Sequence, residues 1–373
     1  MKEINRSIKS LELDKVLNLL SKQASLDDTV NLCSEIVPTY SLAAVQNLLA
    51  KTGDAYNLIA RFGSPSFGSA KNVNAYLSNA KAGGGLSPAA LLQIGEVLRV
   101  IRSVREWKET NAGISTALDG YFSVLSPNKY FEERIFFCIK NEDEINDNAS
   151  TTLADIRRKL KNSAANIKSR LEQIIRSPGH AAHLQDAIIT QRQGRYVVPV
   201  KAEHRSQIPG LVHDTSSSGA TLFIEPMSVV EINNEIKVLN SKEKEEIERI
   251  LAELSAEAAQ FADSIINSYN ALVELDMCFA KANLAYSMKA SMPKINENGK
   301  IYLKNARHPL INKKDVVPIT VTMGDNYKVL VITGPNTGGK TVSLKTIGLF
   351  SLMVCCGLMI PADDNSEVAV FDG

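Results

Sequence analysis

The residues from Gly334 to Thr341 read Gly-Pro-Asn-Thr-Gly-Gly-Lys-Thr, which matches the pattern G-x-x-x-x-G-K-[ST]. A short β-branched run at 328–333 precedes the pattern, and apolar residues at helical spacing follow it. Strand, loop and helix are therefore predicted in the order that a phosphate-binding P-loop requires. This order constrains the C-terminal part of the chain more than any other feature.

The residue types of this loop explain how it would hold a nucleotide. Glycines let the backbone wrap phosphate groups, and the following helix N-terminus adds partial positive charge. Lys340 is predicted to reach the β- and γ-phosphates, and the Thr341 hydroxyl to complete the coordination of Mg²⁺. ATP and Mg²⁺ are therefore the expected cofactors. The predicted nucleotide-binding residues are Gly334, Pro335, Asn336, Thr337, Gly338, Gly339, Lys340 and Thr341.

Hydrolysis needs a further carboxylate, at the end of a second strand, to hold Mg²⁺ and orient the attacking water. The candidate is the apolar run at 368–371, which ends in Asp372. This run is better explained as a neighbouring strand of the same sheet, because one strand–loop–helix unit and one more strand do not close a doubly wound core. We therefore expect residues 293–373 to form the first part of an ATPase domain without a complete catalytic site.

Composition narrows the class of protein. A chain of 373 residues predicts more than one domain, and 44% hydrophobic with 22% charged residues is typical of globular proteins. The sequence has neither an apolar run long enough to span a bilayer nor a signal peptide, so a cytoplasmic protein without a membrane partner is expected. The five cysteines lack metal-ligand or disulfide spacing and are predicted to be reduced and buried.

Helical periodicity organises most of the chain. Residues 1–149 are predicted to form a helical core domain, and a seven-residue apolar period predicts a long helix at 150–177. Its predicted partner lies at 228–292, where the stretch 228–291 contains neither glycine nor proline and would extend on the order of 90 Å as one unbroken helix. We name these two segments the ascending and descending lever helices. The β-branched runs between them predict a β-rich clamp at 178–227.

Basic residues concentrate in the ascending lever helix and the clamp. Residues 151–205 contain eleven Lys or Arg against four Asp or Glu, a local excess of seven in a chain of net charge +1. Such an excess is typical of a surface that contacts nucleic-acid phosphates, but charge alone fits a solvated helix face equally well. Without zinc ligands or a recognition-helix motif, backbone or shape recognition is favoured. The residues predicted to bind nucleic acid are Arg157, Arg158, Lys159, Arg192, Arg195, Lys201 and Arg205.

Several stretches resemble the MutS family of ATPases. They are Asn305-Ala306-Arg307-His308-Pro309-Leu310, Val317-Pro318 and the loop at 333–341. Thr337 and three further stretches look like the second bacterial branch of that family, MutS type two. Those stretches are residues 342–349, Gly357-Leu358-Met359-Ile360-Pro361-Ala362, and 218–226. The resemblance covers nearly the whole chain.

The resemblance implies a core with levers, a clamp, and an ABC-like ATPase domain that dimerises head to tail. Type-two members are associated with branched DNA and suppression of homologous recombination, and with sensing and splitting collided ribosomes. They continue into a C-terminal Smr nuclease domain. Since the motifs for hydrolysis and the nuclease are absent here, the resemblance implies an N-terminal fragment of an ATPase and endonuclease, not catalytically competent alone.

On the nucleotide itself, the resemblance implies that Asn336 contacts the phosphate region and that Val316 and Val317 lie near the adenine. Ile319-Thr320 stands where the family usually has Asn-Asp, so the chain departs from the family pattern on the adenine side.

These observations predict a multidomain protein. It would combine a mainly α core with long lever helices, a small β-containing clamp insert, and the first part of an α/β P-loop (ABC-like) ATPase domain. With what the resemblance implies, the expected function is that of an ATP-binding, homodimeric clamp on branched DNA, on the RNA of stalled, collided ribosomes, or on both. The alternative is an ATP-dependent protein–protein lever without direct nucleic-acid contact. The predicted divisions are 1–149, 150–177, 178–227, 228–292 and 293–373.

Overall fold

The computed structural model describes residues 7–68, 70–111, 113–325, 327–333 and 339–371. The described chain is mainly helical with small sheets, as expected for a multidomain, α-rich protein. It divides into two compact units. The first unit comprises Met1–Lys81, Gln93–Glu132 and Gln260–Gly373, and the second comprises Ala82–Leu92 and Glu133–Ala259. The five-part division given above stays a prediction.

Helices supply most of the described secondary structure. In chain order they are α1 (Leu13–Ser21), α2 (Asp27–Glu35), α3 (Leu42–Phe62), α4 (Asn74–Lys81), α5 (Pro88–Thr110), α6 (Asp119–Val124), α7 (Lys129–Cys138), α8 (Thr151–Arg176), α9 (Pro178–Ala181), α10 (Met227–Met288) and α11 (Lys340–Cys355).

The strands are short. They are β1 (Ile139–Asn141), β2 (Glu144–Ile145), β3 (Thr190–Arg192), β4 (Arg195–Lys201), β5 (Gly210–Thr215), β6 (Thr221–Pro226), β7 (Lys294–Asn296), β8 (Ile301–Ala306), β9 (Ile319–Met323) and β10 (Glu367–Ala369).

The core of the first unit is an apolar cluster that joins α1, α3, α11 and a four-stranded sheet. Leu13 and Leu20 of α1 are fully buried in it, together with Leu349 and Met353 of α11. Burial of one such side chain contributes roughly 1.5–3 kcal/mol. Helix α11 is therefore held by packing against the N-terminal helices as well as against the sheet.

The sheet of the first unit has the order β7-β10-β8-β9. Strand β10 runs parallel to β7 and antiparallel to β8, and β8 pairs with β9 in antiparallel fashion. The run at 368–371 thus contributes to a sheet through β10, whereas Asp372 lies outside the described residues.

The strand predicted at 328–333 is not formed, so that prediction was wrong. These residues are irregular in the described chain, and the side chains of Val329 and Val331 are 75% and 76% exposed. A strand buried on both faces requires neighbours that take its backbone hydrogen bonds and cover its side chains. None of the described strands pairs with this run, so its β-branched composition alone does not form a strand.

The second unit packs α8 against a four-stranded antiparallel sheet of order β3-β4-β6-β5. The Ser150 side chain accepts the Leu153 N–H at 3.0 Å and so caps the start of α8. Ile167 and Leu171 of α8 are fully buried against Val198 and Ile224, which pair across β4 and β6. The predicted ascending helix and β-rich segment are therefore present.

The descending segment forms one helix, α10, of 62 residues. The absence of glycine and proline removes the residues that most often end or kink a helix. Within the first unit, the buried Asp276 of α10 accepts the N–H groups of Ser25 and Leu26 at 3.0 and 2.9 Å, just before α2 begins. Burial raises the pKa of this carboxyl despite these hydrogen bonds.

The carboxyl end of α11 is closed by a Schellman motif. The Leu358 N–H donates to the Met353 carbonyl at 2.9 Å, and the Gly357 N–H donates to the Val354 carbonyl at 2.8 Å. Gly357 has a φ of 70°, the left-handed conformation that glycine adopts without strain. A Cβ at this position would lie 2.5 Å from the Cβ of Leu48, so the close approach to α3 also requires glycine.

Replacing Gly357 with alanine is expected to lower the free energy of unfolding by about 1–3 kcal/mol, through the left-handed backbone and the overlap with Leu48. Chemical denaturation of the purified chain measures this change. Gly120→Ala is the matched control, since Gly120 lies within α6 and an added Cβ there meets no atom within 4 Å. Equal stability of the two variants would contradict the assignment.

Candidate nucleotide and nucleic-acid sites

The described part of the P-loop is its last three residues. Gly334, Pro335, Asn336, Thr337 and Gly338 lie outside the described residues. Gly339 is the N-cap of α11 with a φ of 77°, and Lys340 and Thr341 open the first turn of that helix. The helix predicted to follow the loop is therefore confirmed.

This helix start has the chemistry that a phosphate group needs. The first N–H groups of an α-helix have no backbone acceptor within the helix, and the helix dipole places partial positive charge there. Because the N-cap is Gly339, no cap side chain covers these groups. A Cβ added at Gly339 would meet no atom of the described residues within 4 Å, so the described part of the chain leaves room beside this backbone. The residues present thus fit a phosphate ligand.

The N-terminal helices hold α11 near its start. The Lys345 ammonium donates to a carboxylate oxygen of Glu12 at 3.2 Å. Hydrogen bonds from Lys15 and Lys345 lower the pKa of Glu12. One turn further, Gly348 faces the Leu11 side chain, which a Cβ would approach to 2.8 Å. These contacts fix the side of α11 that faces α1.

A cavity of about 540 Å³ lies in the first unit beside the connection between β8 and β9. Val316, Arg307, His308 and Lys313 are among its lining residues. Val316, one of the two residues that the resemblance puts near adenine, thus faces a cavity, whereas Val317 is 78% exposed. The Lys313 ammonium donates to the Ser287 carbonyl at 2.7 Å. Burial lowers the pKa of His308, which favours its neutral form.

The residues predicted to bind nucleic acid fall into two groups. Arg158, Lys159 and Arg205 have exposed side chains, with the Arg158 side chain 70% accessible although it reaches Asp155 at 2.8 Å. The exposed face of α8 carries further basic residues that the site prediction omitted. These are Lys161, Lys168, Arg170 and Arg176. The helical period of the sequence could have identified these residues, because it places them opposite the buried apolar residues of α8.

Arg157, Arg192 and Lys201 are engaged in contacts within the second unit. Arg157 donates to Glu243 at 2.7 Å and also pairs with Asp147, and its side chain is 20% exposed. The Arg192 guanidinium lies 4.1 Å from the ring centre of Phe223 and pairs with Asp214 at 3.2 Å.

Lys201 has a polar contact as well. Its ammonium donates to the Ala182 carbonyl at 3.2 Å.

Arg195 is part of a buried ionic group. One of its guanidinium nitrogens donates to both oxygens of Glu225 at 2.8 and 2.9 Å, and the other donates to Asn234 at 2.6 Å. Glu225 is 0% exposed, and His213 contacts the same carboxylate through Nε2. Arg195 therefore compensates a buried charge. Sequence reasoning missed this role because Glu225 lies thirty residues away along the chain.

Cysteine and histidine side chains of the described chain have the following surroundings. The five cysteines are free and buried, as predicted. Among the described residues, no group of three or more His, Cys, Asp or Glu side chains is arranged to hold a metal ion.

The rings of His183 and His204 lie 4.7 Å apart, and Nδ1 of His183 is buried without a hydrogen-bond partner among the described residues. Within the described chain, no helix combines the length and hydrophobicity needed to traverse a bilayer.

The chain is thus a mainly helical, two-unit protein with a P-loop sequence at the start of α11 and basic residues on the exposed face of α8. No family model matches it. The Endonuclease MutS2 of Ruminiclostridium cellulolyticum is 45% identical to it over 367 residues, which are 97% of this chain and 46% of that protein. The Endonuclease MutS2 proteins of Acetivibrio thermocellus and Clostridioides difficile are 44% and 42% identical over 98% of this chain, and it covers 46% and 47% of them.

The chain belongs to the MutS2 branch of the MutS family, which confirms the resemblance predicted from its motifs. It spans about half the length of the curated relatives it matches.

Replacing Arg195 with methionine is expected to lower the free energy of unfolding by about 3–5 kcal/mol, because the buried carboxyl group of Glu225 would lose its guanidinium donor. Arg158→Met is the matched control and should change it by less than about 0.5 kcal/mol, since the Arg158 pair is exposed. Denaturant titration of both variants provides the comparison. If Arg195→Met leaves the free energy of unfolding unchanged, the burial of Glu225 does not depend on this partner.

Proposed function

We propose that this chain is the nucleotide-binding and nucleic-acid-contacting part of a MutS2-type ATPase. The observation that carries the proposal is the P-loop sequence whose last residues, Gly339 to Thr341, cap and open α11. A left-handed glycine followed by a helix N-terminus is a recurrent arrangement for phosphate binding. Membership of the MutS2 branch supports it, because the motif stands within a sequence that is related over nearly its full length.

In this proposal, the chain's own residues bind and orient ATP. Lys340 contributes the charge that the β- and γ-phosphates require, and the N–H groups of the first turn of α11 donate to the same oxygens. The Thr341 hydroxyl holds Mg²⁺, which neutralises phosphate charge when bound. Asn336 contacts the phosphate region. Hydrolysis requires carboxylates that we assign to the remaining part of the full-length protein.

On the base side, we propose that the cavity beside Val316 receives the adenine. Val316 and Ile311 offer apolar surface, and the neutral form of His308 avoids placing another charge beside a base. The cavity of about 540 Å³ is within the size range of small-molecule sites. Ile319 lacks the hydrogen-bonding groups of the usual asparagine, so recognition there rests on shape and apolar contact.

The second unit is proposed to contact the phosphate backbone of nucleic acid through α8. Arg158, Lys159 and Lys168 are exposed on this helix, and the relatives' name, Endonuclease MutS2, supports a nucleic-acid substrate. Branched DNA and the RNA of collided ribosomes are the two substrates that the family resemblance implies. The full-length protein would act as a homodimer, with ATP controlling its clamp and a further domain supplying endonuclease activity.

A second candidate function has an observation in its favour. Arg157, Arg192 and Arg195 are all paired with carboxylates of the second unit, which reduces the charge available to an outside ligand. This arrangement fits an ATP-dependent lever that contacts only proteins. The remaining exposed lysines and arginines of α8 favour the nucleic-acid proposal.

For the nucleotide site, Lys340→Ala in the full-length protein is expected to weaken binding of a fluorescent ATP analogue by at least about tenfold, since charge-assisted contacts to phosphate are lost. Fluorescence anisotropy measures the dissociation constant. Lys314→Ala, which removes an exposed lysine from the same unit, is the control and should leave binding unchanged. Unaltered affinity in Lys340→Ala would exclude this loop as the site.

For the nucleic-acid surface, the triple variant Arg158→Glu, Lys159→Glu, Lys168→Glu should weaken binding to a four-way DNA junction or to ribosomes. The slope of log affinity against log salt should also become shallower, because fewer counterions are released. Measuring both ligands shows which one depends on α8.

The control variant makes the same change in net charge in the first unit, at the exposed Lys22, Lys71 and Lys314. It should reduce affinity less, because these lysines lie away from α8 in sequence and in a different unit. If the two triple variants lose affinity equally, net charge is the cause, and α8 is not the contact surface.

A further inference from the structure

Three consecutive carbonyl groups, at the last residue of α11 and at the two residues after it, accept hydrogen bonds from three separate segments. The Cys355 carbonyl accepts the Thr39 N–H at 3.0 Å, and the Gly357 carbonyl accepts the Thr52 hydroxyl at 2.7 Å. Between them, the Cys356 carbonyl accepts the Lys281 ammonium of α10 at 2.8 Å. Together with the Schellman bonds, these contacts satisfy the carbonyls that a helix end leaves without intrahelical partners.

Using the buried ammonium group of Lys281 as the donor to the Cys356 carbonyl carries a large desolvation cost. It is 7% exposed, and burying an ammonium costs several kcal/mol unless the surroundings compensate it. The nearby titratable groups are the thiols of Cys33, Cys278 and Cys356 and the carboxylate of Glu274, and burial lowers the pKa of the lysine. Thr52 shows that a neutral donor suffices at the next carbonyl. A cation at this point complements the negative end of the helix dipole.

We propose that Lys281 is a positioning residue for the nucleotide site, acting through α11. The proposal rests on the function proposed above, because the first turn of α11 carries Lys340 and Thr341. A 16-residue helix behaves as a stiff unit, so fixing its carboxyl end restricts where its first turn lies. Lys281 thereby links α10 to the phosphate-binding end of α11 without contacting the nucleotide.

If the role of Lys281 is only structural, a different result is expected for Lys281→Met. If Lys281 only fills space, Lys281→Met should keep nucleotide affinity while stability stays equal or rises, since an apolar side chain replaces a buried charge. If Lys281 positions α11, the same variant should bind nucleotide less tightly although it is no less stable. The two roles therefore separate when affinity and stability are measured on one variant.

The experiment uses the full-length protein with Lys281→Met, Lys281→Arg and the control Thr52→Val, which removes only the neutral donor. Binding of a fluorescent ATP analogue is measured together with thermal unfolding and amide hydrogen exchange of residues 340–345. We expect Lys281→Met to bind at least about fivefold more weakly, with faster exchange in the first turn of α11 and no loss of stability. Lys281→Arg should restore most of the affinity, and Thr52→Val should change it less.

A pH series gives a second readout, taken on the wild-type protein and compared with Lys281→Arg. Affinity should fall as the pH rises through the lowered pKa of Lys281, below the ordinary lysine value of 10.5, because the neutral amine is a weaker donor. Burial raises the pKa of Cys33 and Cys278 to about 11 and that of Cys356 to about 12, so these thiols stay protonated in that range. Lys281→Arg keeps its charge and should show no such fall.

Unchanged affinity and unchanged exchange in Lys281→Met would overturn the inference, as would a pH dependence that Lys281→Arg retains. If the wild-type protein binds no nucleotide, the proposed function fails. The exchange measurement still tests whether Lys281 holds the first turn of α11, so the two failures are distinguishable.

Discussion

The burial of α11 is the constraint on which the rest of the first unit depends. Its apolar residues pack against α1, α3 and the sheet, so this helix is as much a part of the core as a carrier of P-loop residues. Because the carbonyls of Cys355, Cys356 and Gly357 take donors from elsewhere in the unit, the carboxyl end of the helix has little freedom to slide. The N-terminal helices and residues from 260 onward consequently lie within one compact unit.

The elements that the sequence predicted well are those whose stability is local. The period of α8, the uninterrupted α10 and the start of α11 follow from apolar spacing, the absence of helix breakers and a glycine cap. The strand predicted at 328–333 is not formed, because a strand needs partner strands, and the residues of 328–333 alone do not say whether such partners are present. Of the nucleotide site, the helix start is described where it was predicted, and the loop before it stays a prediction.

The basic residues show a second limit of sequence reasoning. Counting charges in 151–205 located a real excess, but it could not tell which side chains are compensated within the unit. Arg195 and Glu225 lie on different strands, β4 and β6, and meet through the antiparallel sheet. Arg158 and Lys168, by contrast, follow the helical period outward. Helical periodicity therefore identified the exposed basic side chains. Which basic side chains form ion pairs within the unit depends on long-range contacts.

The burial of all five thiols has a practical consequence for following this protein in solution. A thiol shielded by packing reacts with an alkylating reagent only when its surroundings open. Cys138 lies in the second unit, whereas Cys33, Cys278, Cys355 and Cys356 lie in the first. The native sequence therefore contains separate chemical reporters for the opening of each unit. The labelling rate of each cysteine-containing peptide would reveal the order in which the two units unfold, without introducing any dye or mutation.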